Sequence, residues 1–163
     1  MDNYQRLIKL AEDVFSFRSD PEQLDVNPEI MERLRKIHPS TMMEYNDGKG
    51  PGAWILVIPT TKTLMEQFIN CEINEKQLFN LTPLDVKYDS LYLCSALVLE
   101  EYRHKGITTR FVISALKEMQ KEHPIKSLFV WPFTEGGDAI ARKIAGLTGL
   151  PLYERKRTQK SPA

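Results

Sequence analysis

The sequence predicts an α/β fold, a mixed and largely antiparallel sheet flanked by helices. Three observations carry that prediction. Segments with apolar residues at three- and four-residue spacing are interleaved with short runs rich in β-branched and aromatic residues. The longest apolar run, Leu91 to Leu99, is too apolar to have one wet face and fits a central strand buried on both sides. That run passes through a glycine turn into a helical segment, and another strand follows at Ser127 to Trp131.

The elements follow in chain order. Tyr4, Leu7, Ile8, Ala11, Val14 and Phe15 mark an amphipathic helix over residues 3–17, broken at Ser19-Asp20-Pro21. Asn27-Pro28-Glu29 supplies an N-cap, a proline in the first turn and an acidic residue after it, so a second helix starts there and stops before Pro39. Residues 41–59 read as a β-hairpin around the Asn46 to Gly52 turn, with Trp54 to Ile58 as its second strand. Leu64, Met65, Phe68, Ile69, Leu78 and Phe79 place two short helices between residues 62 and 81, with Asn74 as the cap between them. Phe111, Val112, Ala115, Leu116 and Met119 form the apolar side of a helix from Ile107 to Lys121. A last helix over 138–147 ends at Gly149, and Leu152-Tyr153 adds a final strand.

A chain of 163 residues is expected to form one domain, residues 1–163, with a helix pair, hairpin and helical insertion in 1–88 and a flexible basic tail over 155–163. The 22 basic side chains are matched by 22 acidic ones, so no global field draws the protein to nucleic acid or to an anionic membrane. The opening residues are polar, and no stretch of about 18 apolar residues exists to span a bilayer, so a cytoplasmic protein is expected. Cys71 and Cys94 are too few for a disulfide framework. His38, His104 and His123 are scattered without ligand spacing, and no metal is expected.

The segment Leu99 to Thr109 carries the chemistry. At a helix start several backbone N–H groups lack intrahelical partners, and the dipole adds partial positive charge. Such a terminus receives phosphate. Gly106 lets a ligand pass close to the backbone, and Arg103, Lys105 and Arg110 add charge. Thr108 and Thr109 offer hydroxyls.

The run Val98-x-x-x-x-Arg103-x-x-Gly106-x-Thr108, after a strand and opening a helix, resembles the acetyl-CoA signature of the GNAT acyltransferase superfamily, Arg/Gln-x-x-Gly-x-Gly/Ala. The likeness extends over Asp89 to Tyr153, with Gly149-Leu150 standing where members often have Gly-Phe. It implies a GNAT-like fold in which residues 89–154 form the acyl-CoA-binding half. It also implies a cleft where the Leu91–Leu99 strand splays from the Ser127–Trp131 strand. By this resemblance, Leu97, Val98 and Leu99 pair with the pantetheine arm, and N–H groups of His104, Lys105, Gly106, Ile107, Thr108 and Thr109 hold the pyrophosphate beside Arg103. A backbone N–H at Val98 or Leu99 would steady the oxyanion. The implied function is transfer of an acetyl group from acetyl-CoA to a small-molecule or protein amine; the alternative is a CoA-binding sensor without chemistry.

The chain departs from the family pattern at three places. Thr108 replaces glycine or alanine, Ala145 stands where many members have a tyrosine that protonates the leaving thiolate, and residues 61–81 form an insertion between strands. Tyr153 is the nearest substitute acid in the sequence. Simple alternation puts Tyr92, Cys94, Ala96 and Val98 on one face, and the resemblance makes Tyr92 and Cys94 the candidate catalytic pair. Glu100, Glu101 and Glu44 are further carboxylates: the first two read as solvated surface, the third as a possible contact for an amine.

Overall fold

A computed structural model describes residues 1–18, 27–132 and 135–156. Helices α1 (Asn3–Arg18) and α2 (Pro28–Ile37) precede a hairpin of β1 (Met42–Asn46) and β2 (Pro51–Thr60). Two short helices follow, α3 (Lys62–Ile69) and α4 (Glu75–Leu81). Then come β3 (Ser90–Val98), a single 3-10 turn (Glu100–Tyr102), α5 (Ile107–Gln120), β4 (Ser127–Val130), α6 (Glu135–Thr148) and β5 (Leu152–Glu154).

The five strands form one sheet in the order β1-β2-β3-β4-β5. The first two pairings are antiparallel and the last two parallel, and the antiparallel ladders are the longer ones, so the sheet is mixed. Connectivity explains the split. A tight turn joins β1 to β2, whereas α5 and α6 are the crossovers that parallel neighbours require.

Local chemistry sets the element boundaries. The Asn27 side chain accepts a hydrogen bond from the Ile30 N–H at 3.0 Å, and Pro28 occupies the first turn of α2. Asn74 and Gln77 form a reciprocal capping box that starts α4. The hairpin turn closes on its own side chains: the Gly48 N–H donates to Asn46 Oδ1 at 2.8 Å and the Lys49 N–H to Asp47 Oδ1 at 3.1 Å.

Strand register and ring contacts place the layers. Trp54 is opposite Glu44 on β1 and Leu97 on β3, and its ring meets Tyr4 of α1 at 5.8 Å. Tyr45, one residue out of phase, meets Phe111 of α5 at 6.0 Å, so α1 and α5 cover opposite faces. Tyr92 is opposite Ile58, on the Trp54 face, and stacks on Phe129 of β4 at 5.0 Å. Phe68 of α3 sits edge-on against Tyr92 at 5.0 Å, placing α3 on that face too. These three rings are fully buried, and each stabilises the fold by roughly 1.5–3 kcal/mol through area removed from water.

Two sequence expectations change here. Only the first part of β3 is buried on both faces; from Leu93 to Val98 its residues are half-buried or, at Ala96, exposed. The tail does not begin at Arg155. Arg155 is buried, its backbone N–H donates to the Val130 carbonyl, and the Lys156 N–H donates to the Ile69 carbonyl. Residues 157–163, the rest of the expected flexible tail, lie outside the described residues, as does the expected break at Ser19 to Pro21.

Candidate functional site

β3 and β4 pair over only four residues each, from Ser90 opposite Ser127 to Leu93 opposite Val130. β3 then runs on to Val98 past the end of β4, which stops at Val130, and the cleft expected from the sequence would lie along this edge of β3. The other edge of β3 carries an irregularity at the same level. Val57 is opposite Leu93 but Leu56 is opposite Ser95, so Cys94 is an inserted bulge residue. A bulge bends its strand and increases the local twist.

The bulge also shifts the phase of the strand. Tyr92 shares its face with Ser95 and Leu97, while Ala96 and Val98 fall on the α5 side with Leu93, which corrects the simple alternation read from the sequence. Main-chain direction follows from the same register. The Leu99 N–H donates to the Gly52 carbonyl at 2.9 Å and is closed by β2, so it is not a donor for the cleft. Leu97 points its peptide groups the same way, and those of Ala96 and Val98 point toward the cleft. Of the three residues expected to meet a ligand through their backbone, Val98 alone is oriented to do so. Its carbonyl accepts from Arg103 Nε at 2.9 Å.

The turn beyond β3 is anchored on three sides. Arg6 of α1 forks onto both carboxylate oxygens of Glu101, holding that carboxyl down at about 2, so Glu101 is a structural partner as well as a surface group. Tyr102 donates to Asp47 Oδ2 at 3.0 Å and lies flat over Gly52, where an added Cβ would come within 2.8 Å of the ring. Burial and the Asp47 bond raise the Tyr102 phenol above its ordinary range.

With the turn held, Gly106 takes φ +74°, a left-handed conformation that glycine adopts without strain, and α5 begins. No side chain caps this helix. Its first intrahelical bond runs from the Arg110 N–H to the Gly106 carbonyl, which leaves the Ile107, Thr108 and Thr109 amides outside the helix ladder. Arg103, His104 and Lys105 are exposed around this terminus, and an added Cβ at Gly106 would meet nothing within 4 Å. Ile107 and Thr109 are buried, while Thr108 is half-buried.

Beside the last β3–β4 pair, Tyr92 and Cys94 converge on a residue that sequence reasoning missed. Tyr92 donates to Glu75 Oε2 at 2.6 Å, and the Cys94 thiol reaches the same oxygen at 3.8 Å. Glu75, the first residue of α4, is only 3 % exposed. Arg155 holds the preceding loop: it donates to the Phe68 and Ile73 carbonyls at 3.1 Å each, and its guanidinium lies 4.5 Å from the ring centres of Phe68 and Trp131. The α3–α4 segment therefore contributes a carboxylate as well as core packing.

The remaining candidates disperse. Glu44 accepts from the Trp54 indole at 2.8 Å. Tyr153 is exposed on β5, which lies on the far side of β4 from the cleft. An open groove of about 340 Å³ runs between β1 and α5, lined by Ser40, Met43 and Phe111 among others, at the opposite edge of the sheet.

The histidines that look scattered in sequence do meet. His38 and His123 pack edge to face at 6.0 Å, with Glu122 close enough that one ligand atom from each residue lies within 4.8 Å of the others. The hydrogen bonds argue against a metal there. His38 Nδ1 accepts from the Ser40 N–H and His123 Nδ1 from the Tyr88 N–H, so each neutral ring carries its proton on Nε2, the nitrogen left for the cluster. A metal would have to displace a main-chain donor. Burial lowers both pKa values, with the neighbouring charge of His123 adding to the effect at His38 and that of Lys87 at His123.

In comparisons with known proteins, no family model and no curated protein matches this chain. No helix among the described residues is long and apolar enough to cross a membrane.

Proposed function

We propose that the protein is an acyl-CoA-dependent N-acyltransferase with a GNAT-like fold, moving an acetyl group from acetyl-CoA to a small-molecule or protein amine. One observation carries the reading: β3 outruns its parallel neighbour β4 from a bulge at Cys94 onward and leads into a basic, glycine-opened helix start with no capping side chain. A ligand with a polar extended arm and a pyrophosphate suits both halves. The Val98 carbonyl, which has a second lone pair beyond the one facing Arg103, accepts from a pantetheine amide. The α5 amides receive the pyrophosphate, and Arg103 and Lys105 add charge. The Val98 N–H is the donor aimed at an oxyanion forming on the thioester carbonyl.

Ala145 supports a second reading, a CoA-binding module without turnover. It is half-buried and packed against the core, and it has no proton to give a leaving thiolate. Calorimetric titration with acetyl-CoA, using dephospho-CoA and ATP as comparators, tests what the two readings share. Saturable binding that requires the pantetheine arm is expected. No binding at millimolar acetyl-CoA would overturn both.

A further inference from the structure

We propose that Glu75 and Cys94 form the proton relay of this cleft, with Tyr92 holding the Glu75 carboxylate in place; the inference rests on the acyltransferase reading. Three elements distant in sequence meet to build it. α4 begins at Glu75, the Tyr92 phenol enters from the part of β3 paired with β4, and Cys94 is the bulge residue just past the last β3–β4 pair.

The two contacts to Oε2 differ in kind. The Tyr92 bond is short at 2.6 Å and joins two buried groups, so it fixes the carboxylate rather than exchanging with a ligand. Cys94 is half-buried, the least enclosed of the three, and its 3.8 Å approach is loose enough to make and break. A thiol can accept a proton on sulfur while passing its own to a carboxylate.

The proton balance closes within the site. An ammonium group in the cleft gives a proton to Cys94 Sγ, and the original thiol proton moves to Glu75 Oε2. The neutral amine then attacks the thioester carbonyl carbon. The C–N bond forms and the C–S bond breaks, with the electron pair leaving on the CoA sulfur. The amide sheds its surplus proton to solvent, and Glu75 returns its proton through Cys94 to the CoA thiolate. A buried carboxylate in contact with a thiol on a bulge suits this role better than the exposed Glu100 and Glu101, neither of which faces the cleft as part of such a pair.

A purely structural Glu75 would stabilise the start of α4 through the helix dipole and do nothing else. The test separates these roles in the full-length protein, with Cys71→Ser so that alkylation reports Cys94 alone. The rate of iodoacetamide alkylation is followed against pH with Glu75 and with Glu75→Gln, which preserves an acceptor for Tyr92. Removing the carboxylate charge should move the thiol titration about one pH unit lower. CoA release from acetyl-CoA, measured over a panel of primary amines, should fall at least tenfold in Glu75→Gln and Cys94→Ala, and Cys94→Ser should restore part of it. Acetyl-CoA affinity by calorimetry should be unchanged in all three. An unmoved thiol titration, or wild-type release in Glu75→Gln, would overturn the relay while leaving the CoA site standing. Failure of the unsubstituted protein to bind acetyl-CoA would instead overturn the acyltransferase reading. The thiol titration needs no acceptor, so it decides the Glu75–Cys94 coupling in either case.

Discussion

Helices α2, α3 and α4 start differently from α5. The first three are closed by side chains: Asn27 accepts from the Ile30 N–H, Thr61 from the Leu64 N–H, and Asn74 forms a full capping box with Gln77. α5 opens on a left-handed glycine with no side-chain cap, beside three exposed basic residues. A capped terminus puts its orphan amides to work for stability, whereas an uncapped one leaves them to water or a ligand. The surroundings reinforce the contrast. The turn before α5 is secured by Arg6–Glu101, by Tyr102 over Gly52 and by Arg103 on Val98, so its amides are held in place without being consumed.

Substitutions at the two kinds of terminus should therefore separate binding from stability. The largest effect is expected for Gly106→Glu, which brings a carboxylate to a terminus that favours anions and forces a side chain into the left-handed region. CoA affinity should fall at least about a hundredfold by calorimetry, while the melting transition moves only by the cost of backbone strain, about 1–2 kcal/mol. Undiminished affinity would mean that this terminus is not the phosphate site.

Gly52→Ala attacks the anchoring of the turn. Its Cβ would lie 2.8 Å from the Tyr102 ring, so a destabilisation of about 1–3 kcal/mol is expected in urea, with a weaker loss of CoA affinity. At the capped termini the pattern should invert: Asn27→Ala should cost about 1 kcal/mol of stability and leave CoA affinity unchanged. Equal effects on binding from Asn27→Ala and Gly106→Glu would erase the distinction.

A smaller effect is expected from pH. His38 and His123 both titrate below the ordinary 6.5 in the folded protein, so the unfolded chain binds more protons in acid. Their contribution should be complete above pH 6.5, decline as the pH falls below it, and stop changing once the folded rings are themselves protonated. His38→Gln should flatten that part of the stability–pH curve measured by urea unfolding. The smallest change belongs to Arg6→Met, which should let Glu101 rise from about 2 toward its ordinary 4.5, a shift readable by NMR titration of the side-chain carboxyl.

Much of this architecture was legible in local sequence. Asn27-Pro28 and Asn74 were readable as caps because an N-cap depends on a few neighbouring residues. The two short helices of the insertion, the hairpin and the helix from Ile107 all showed in apolar spacing. The basic glycine turn stood out for the same reason: a strand end, a glycine and a helix start are contiguous. What misled was alternation along β3. An inserted residue is defined by the partner strand, and nothing in the run from Leu91 to Leu99 marks Cys94 as the one without an opposite number.

By itself the sequence determined the elements, their caps and the composition of the helix start that is proposed to hold phosphate, because each depends on interactions spanning a handful of residues. The tertiary structure decided the rest. It chose two parallel pairings, placed a bulge at Cys94, brought Glu75 to Tyr92 and Cys94, joined His38 to His123, and drew Arg155 out of an apparent tail between two aromatic rings. The physical reason is common to all five. Register and packing are settled between segments tens of residues apart, where hydrophobic burial fixes the docking and the polar groups take whichever partners that docking provides.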